Sequence, residues 1–133
     1  MTQTDKDLLL NDLCGRLPYG VKVKFGDSKP ALLTVIEHDE FGWQIGSEDE
    51  FGGMITIIDN VKPYLFPISS MTEEQKKEFN TQSLKLQLQV IDEEIMYEKA
   101  TEFEVDFYNK HHLDWRGLIP MGLAIDATGL NFY

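Results

Sequence analysis

The sequence is short of three things that mark particular classes of protein: cysteine, long apolar runs and basic residues. Its one cysteine, Cys14, excludes an intrachain disulfide and a cysteine-based metal cluster. No stretch approaches the ~18 consecutive apolar residues of a transmembrane helix. The first residues also lack the basic start and apolar run of a secretory signal. We therefore expect a cytoplasmic protein with no membrane span.

The shortage of basic residues excludes further functions. The chain has 12 lysine and arginine residues against 23 acidic ones, a net charge of −11. The excess is spread along the chain, so neither half offers a basic surface for nucleic acid or for an anionic membrane. Such a charge keeps a protein soluble. It would also suit an inhibitor that imitates nucleic acid, or a surface that engages a basic partner.

Apolar residues, in contrast, are plentiful. They make up 42% of the 133 residues, and aromatic residues make up 11%, which is enough for a real core. The length fits one domain over residues 1–133. Its first part, residues 1–68, is expected to hold a helix and a sheet, and residues 69–133 the helical part and a structured tail.

The first part begins with a predicted helix over residues 5–15, with Thr4 as N-cap and Gly15 as its end. Cys14 lies beside the leucine stripe of this helix and is expected to be buried. From residue 21 the apolar period changes to two, which predicts short strands. They fall at residues 21–25, 31–37, 42–45, 54–58 and, as a possible fifth, 64–66.

The loops of the sheet carry two further expectations. Residues 46–53 form an acidic, glycine-flanked segment that predicts a solvated loop. Phe41, Trp43 and Phe51 border this region and are expected to be core residues rather than an exposed aromatic patch.

The second part begins with a capping box, in which Thr72 bonds the amide of Gln75 and Gln75 reaches back to Thr72. Residues 84–90 fit either a strand or a helix. A helix is predicted over residues 97–111 from its apolar face, and Phe103 and Phe107 are expected to pack against the open face of the sheet.

The tail, residues 111–126, carries the side chains best suited to metal binding or catalysis. His111, His112 and Asp114 form a metal-like cluster, but adjacent helical residues point about 100° apart and a zinc site needs three or four ligands. A histidine at a helix end also interacts favourably with the helix dipole. We therefore predict a structural role for this cluster, no metal and no cofactor.

Four other residues are candidates for a protein contact surface: Tyr19, Trp43, Trp115 and Arg116. Tryptophan and arginine are favoured in interfaces, although Trp115 and Arg116 also fit an internal clasp. The glycines of the tail form no phosphate-binding loop, and no serine lies in a nucleophile-elbow motif. The sequence therefore indicates a protein that is not an enzyme.

Three segments resemble one known family: DLCGRLPYGV at residues 12–21, KPYLFPISSMTEE at 62–74 and NKHHLDWRGLIP at 109–120. The family consists of small uncharacterised proteins from Bacteroides-type gut bacteria and their phages or integrated mobile elements. The resemblance spans most of the chain except the region around residues 82–99. It implies a phage or mobile-element setting and supplies no catalytic residues.

Together these observations predict an α+β fold: an N-terminal helix, a curled antiparallel sheet of four to five strands that could close into a small SH3-like barrel, and C-terminal helices packed on it. The leading functional hypothesis is a non-enzymatic cytoplasmic protein that binds an unidentified protein partner. Two alternatives stay open. One is a small metal-dependent or hydrolytic enzyme using His111, His112 and Asp114, and the other is an acidic inhibitor that imitates nucleic acid.

Overall fold

The fold is α+β, with an open mixed sheet, a helix before it and a helical hairpin after it. The structure, a computed structural model, describes residues 1–49, 52–88, 93–131 and 133. The helices are α1 (Gln3–Arg16), α2 (Glu73–Leu88) and α3 (Glu93–Lys110). The strands are β1 (Lys22–Phe25), β2 (Ala31–Asp39), β3 (Gly42–Asp49), β4 (Gly52–Ile57), β5 (Val61–Leu65) and β6 (Ile125–Asp126).

Helix α1 begins two residues earlier than predicted. Its N-cap is Thr2, whose hydroxyl accepts from the Asp5 amide at 3.1 Å while the Asp5 carboxylate accepts from the Thr2 amide at 3.2 Å. This reciprocal capping box satisfies two amides that would otherwise lack partners, so Thr4 lies inside the helix. The prediction for Cys14 was also wrong, because its side chain is exposed.

The sheet has six strands in the order β4-β3-β2-β1-β5-β6. All neighbours are antiparallel except β5 and β6, which pair in parallel through Tyr64–Ile125 and Leu65–Asp126. The expected count of four to five strands was therefore too low, and the sheet is not purely antiparallel. Over the residues described, β4 and β6 lie at opposite edges, so the sheet is open and the barrel is not seen.

Strand β3 is longer than its sequence suggested. It pairs with β2 from Gly42 as far as Glu48, and with β4 as far as Asp49. Residues 46–49 therefore belong to β3 and residues 52–53 to β4, so the predicted loop over residues 46–53 was wrong for both stretches; residues 50–51 lie outside the described residues. The acidic composition predicted a loop because acidic side chains favour solvent. Strand formation depends instead on pairing with the neighbouring strands.

The core lies between the sheet, α1 and the tail. Leu9 and Leu13 of α1 are completely buried and pack with strand residues such as Val23 and Ile45. Leu118, Leu123 and Ala124 of the tail complete this cluster. Among the described residues, this core cluster is covered by α1 and the tail and includes no residue of α2 or α3, so the packing of the C-terminal helices on the sheet stays a prediction.

The C-terminal helices form a hairpin around aromatic side chains. The capping box at the start of α2 is confirmed, with Thr72 and Gln75 exchanging bonds of 2.9 and 3.1 Å. Phe79 of α2 lies 5.8 Å from Phe103 and 5.3 Å from Phe107 of α3, between ring centroids. The two phenylalanines therefore pack on α2 rather than on the open sheet face. Within the ambiguous segment 84–90, residues 84–88 are helical; the rest lies outside the described residues.

Candidate functional site

Helix α3 ends in a backbone motif that fixes the directions of both histidines. The Leu113 amide donates to the Tyr108 carbonyl at 2.8 Å, and the His112 amide donates to the Asn109 carbonyl at 3.3 Å. His112 has a φ of 58°, the left-handed conformation that usually favours glycine at this position. This pattern is a Schellman motif. Because the chain reverses at His112, the side chains of His111 and His112 leave the helix in different directions.

His112 packs against the last residue of the chain. Its ring stacks on the Tyr133 ring at a centroid distance of 3.8 Å and an interplanar angle of 18°. Burial, followed by the nearby positive charge of Arg16, lowers the pKa of His112 to about 4. Its Nδ1 is buried and has no hydrogen-bond partner among the described residues, so a proton added there would lack an acceptor. His112 is therefore neutral at physiological pH.

His111 lies on the other side, between α2 and α3. Its ring is 4.5 Å from that of Phe107, and its Nδ1 is 3.4 Å from the side-chain nitrogen of Gln75. Burial lowers its pKa. His111, the first residue of the predicted cluster, thus joins the aromatic packing between α2 and α3.

Asp114 is used by the backbone that follows it. Its two carboxylate oxygens accept from the Leu118 amide at 2.7 Å and the Ile119 amide at 2.9 Å. His111, His112 and Asp114 therefore each engage a different neighbour. Among the residues that the structure describes, no group of three or more histidine, cysteine or acidic side chains is placed to hold a metal ion.

The tail also closes over a buried ion pair that sequence reasoning missed. Asp12 and Arg16 are 1% and 0% exposed, and Arg16 Nε donates to Asp12 Oδ2 at 2.8 Å. Arg16 Nη2 donates to the Leu113 carbonyl at 2.6 Å. Burial raises the pKa of Asp12, and the two guanidinium groups beside it, of Arg16 and Arg116, oppose that effect. A signal existed, because Arg16 lies on the same helical stripe as Leu9 and Leu13.

Trp115 and Arg116 form a clasp on this ion pair. The Arg116 guanidinium lies 4.1 Å from the Trp115 ring centroid, a cation–π contact, and its Nε is 3.4 Å from Asp12 Oδ1. The Trp115 indole donates to Asn109 at 3.0 Å. Both side chains are half-buried.

The four predicted contact residues lie beside different residues of α1 and α3. Trp115 and Arg116 lie together at the C-terminal half of α1, where Arg116 contacts Asp12. Tyr19 is 36% exposed and interacts with Asp106 of α3, which together with burial raises its pKa. Trp43 lies at the other half of α1, beside Lys6 and Leu10.

Among the residues with described exposure, the most exposed aromatic residue is Phe41, two positions before Trp43. Phe41 is 79% exposed and Trp43 is 42% exposed. The expectation that these two residues belong to the core was therefore wrong, and Phe51 lies outside the described residues. Phe41 occupies the two-residue turn between β2 and β3, where its amide donates to the Asp39 carboxylate at 2.8 Å. Gly42, with a φ of 105°, closes the turn. At the tip of so tight a turn, a side chain cannot reach the core.

Behind this turn lies a cleft of about 270 Å³ between α1 and the sheet. We call it the hairpin cleft; it is lined by Gln3, Lys6, Asp7, Leu10, Phe41, Gly42, Trp43, Ile57, Ile58 and Asp59. Trp43 is oriented by an edge contact with His38, at 4.9 Å between ring centroids. Leu10, Trp43 and Ile57 give the cleft an apolar side.

The charge around the hairpin cleft is mostly negative. Asp7 and Asp59 line it, and the exposed residues Asp39 and Glu40 precede Phe41. Lys6 is the one basic residue of the lining, and its ammonium group is 3.3 Å from the Asp59 carboxylate. The cleft therefore combines exposed apolar area with an acidic rim.

Comparison with protein-family models, with curated proteins and with solved structures gave no match to this chain. Over the described residues, no helix combines the length and the apolar composition that a membrane span requires. The assignment of a function therefore depends on the geometry of the chain itself.

Proposed function

We propose that this chain is a non-enzymatic protein-binding protein, and that it engages its partner at the hairpin cleft. The observation that carries the proposal is the exposure of Phe41 at 79% beside Trp43 at 42%, over a cleft of about 270 Å³. Aromatic side chains are enriched at the anchoring points of interfaces. Covering one such side chain contributes about 1.5–3 kcal/mol to the free energy of binding. A partner that covers this surface is therefore stabilised there.

The chemistry of the cleft indicates the kind of partner. Asp7 and Asp59 line the cleft, Asp39 and Glu40 precede Phe41 in the chain, and Lys6 is paired with Asp59, which leaves an excess of negative charge around the cleft. A complementary segment would present lysine or arginine residues around one or two large apolar side chains. The net charge of −11 would attract such a segment from a distance and speed its association.

The cellular setting belongs to the same proposal. The resemblance of residues 12–21, 62–74 and 109–120 to proteins of gut Bacteroides-type bacteria, their phages and mobile elements favours an accessory protein of such an element. We place it in the cytoplasm. Sequencing the genes on either side of this one tests the setting, because bacterial housekeeping genes on both sides would contradict it.

The binding proposal is tested by selecting peptides from a random display library on the purified chain. We expect selected peptides to combine lysine or arginine with aromatic or aliphatic residues. Their affinity should fall about tenfold or more in Phe41→Ser and in Trp43→Ser. Ile68→Ser is the matched control, since Ile68 is an exposed apolar residue at 39% outside the cleft.

Binding to a basic segment should weaken as salt is raised, because salt screens exposed charges. Peptides that bind equally well to wild type and to Phe41→Ser would remove the hairpin cleft as the docking site. Selection of neutral or acidic peptides that still depend on Phe41 would keep the site and contradict the stated partner chemistry.

A further inference from the structure

The outer edge of β4 is a second surface, and β4 meets the hairpin cleft only at its last residue, Ile57. The strand order places β4 at one end of the sheet, where it pairs with β3 on one side. Over the described residues, no strand pairs with its other side. The opposite edge is β6, which is only two residues long, whereas β4 runs for six residues, Gly52–Ile57. The free edge of β4 therefore presents a row of backbone donors and acceptors.

This edge lacks the features by which proteins protect edge strands. Common protections are charged residues, proline, a bulge or a very short strand. The sequence of β4, GGMITI, contains no charge and no proline. Its register with β3 is continuous over six successive pairs, and the irregularity of the sheet lies between β2 and β3 instead. A neutral edge strand with a continuous register favours pairing with another strand.

The apolar surface beside this edge extends across the sheet. Ile55 of β4 is 68% exposed and pairs with Gly46 of β3, which pairs in turn with Val35 of β2, itself 39% exposed. Gly46 has no side chain, so the two apolar side chains lie on the same face with nothing bulky between them. Ile45, the preceding residue of β3, is 0% exposed on the core face, which identifies the Ile55 face as the outer one.

We infer that β4 pairs antiparallel with β4 of a second copy of this chain, so that two sheets become one continuous sheet across a two-fold axis. A two-fold axis places each edge against an identical one, so every free donor of one copy meets an acceptor of the other. Because β4 has no charged residue, this pairing places no like charges of the two strands directly opposite each other. The axis near Ile55 would also join the two apolar surfaces.

Charge also distinguishes a second copy of this chain from the basic partner proposed for the hairpin cleft. Two copies that each carry −11 repel at long range, so screening by salt should strengthen their association. A basic partner would respond in the opposite direction. The salt dependence of β4 pairing is therefore a signature of self-association.

Sedimentation velocity over roughly 1–200 µM tests the inference on the full chain. We expect a reversible monomer–dimer equilibrium that shifts toward dimer when sodium chloride is raised from about 0.05 to about 0.5 M. Ile55→Lys places a charge on the edge and should weaken dimerisation about tenfold or more. Leu32→Lys is the matched control, because Leu32 is an exposed apolar residue of β2, 42% exposed and away from the edge.

A cross-linking arm keeps the test independent of how well Ile55→Lys folds. Ile55→Cys in a Cys14→Ser background should give a covalent dimer with a short bis-maleimide, whereas the Cys14→Ser chain alone should not. A chain that stays monomeric throughout the concentration range would overturn the inference. So would a dimer unaffected by Ile55→Lys, or one weakened equally by Leu32→Lys, since the latter would indicate sheets stacked face to face.

Discussion

The C-terminal tail and the hairpin cleft differ in which residues they bury. Where the tail meets α1, ionisable side chains are turned inward: Arg16 and Asp12 of α1 are 0% and 1% exposed, and Asp114 of the tail bonds two amides. At the hairpin cleft, aromatic residues that usually form a core are turned outward, with Phe41 at 79% exposure. Polar chemistry inside and apolar area outside is the reverse of the common distribution.

The difference separates stability from recognition. A buried charge persists only where hydrogen bonds and counter-charges hold it, so the tail cluster is a structural element that ties α1 to the tail. An exposed aromatic side chain contributes little to folding. Its role is to provide apolar area that a binding partner covers. Each region can be altered separately, and the two sets of variants should have opposite effects on stability and on binding.

The largest expected effect is on the buried ion pair. Arg16→Met leaves Asp12 without its closest partner and removes the bond to the Leu113 carbonyl. We expect the free energy of unfolding, measured by urea titration, to fall by about 3–5 kcal/mol. Lys6→Met is the control, because it breaks the partly exposed pair with Asp59 and should cost about 1 kcal/mol or less. Equal losses in the two variants would contradict a structural role for the tail cluster.

The second effect concerns Asp114. Asp114→Ala removes the acceptor of two amides, one of them belonging to the fully buried Leu118. We expect a loss of about 2 kcal/mol in the same titration. Asp126→Ala provides the comparison, since Asp126 is exposed and accepts from the Thr128 amide at 2.9 Å. A smaller loss for Asp114→Ala than for Asp126→Ala would show that the amides of the tail are satisfied in another way.

The third effect is a dependence of stability on pH. The pKa of His112 is about 4 in the folded chain, against an ordinary value of 6.5. As pH falls from 6.5 toward 4, the unfolded chain binds a proton that the folded chain does not, so stability falls. We expect this contribution to be about 2 kcal/mol, because the ring is only half-buried.

The measurement is urea unfolding at several pH values, in wild type and in His112→Asn. Asparagine tolerates the left-handed conformation at this position, and His38→Asn serves as an exposed control. The pH dependence should become shallower in His112→Asn than in wild type. An unchanged slope in His112→Asn would mean that other groups cause the acid sensitivity.

The smallest effect on stability is expected at the hairpin cleft. Phe41→Ser removes a side chain that is 79% exposed and should change the free energy of unfolding by less than about 0.5 kcal/mol. Its effect on binding of a basic, apolar peptide should be about tenfold or more. A large loss of stability would show that Phe41 supports the fold, and the comparison between the two regions would then fail.

Local signals in the sequence were reliable at one helix start and not at the other, because α2 begins as predicted whereas Thr2 and not Thr4 caps α1. The capping box of Thr72 and Gln75 needs only three positions, and it forms as predicted. The strands of the first half follow from alternation of apolar residues. The other errors concern long-range packing, because Cys14 is exposed and because Phe103 and Phe107 meet Phe79 instead of the sheet. The burial of Arg16 on the leucine stripe of α1 was not predicted at all.

The candidate sites show the same division. The sequence identified the tail as structured and Trp43 as a contact candidate, but it placed Phe41 in the core. The side-chain type alone does not reveal that Phe41 lies at the tip of a two-residue turn. Likewise, Ile125 and Asp126 are too few to give a strand pattern, and they become β6 only because β5 lies beside them.

The sequence by itself determined the α+β class, the capping of α2, the acidic charge and the small number of cysteine and basic residues. These depend on composition and on contacts within one or two turns of the chain. Only the tertiary structure decided that Arg116 of the tail meets Asp12 and Arg16 of α1, and that Phe41 and the edge of β4 stay uncovered by the residues that the structure describes. Both outcomes depend on which distant segments meet, because burial and pairing are properties of the assembled surfaces and not of any one segment.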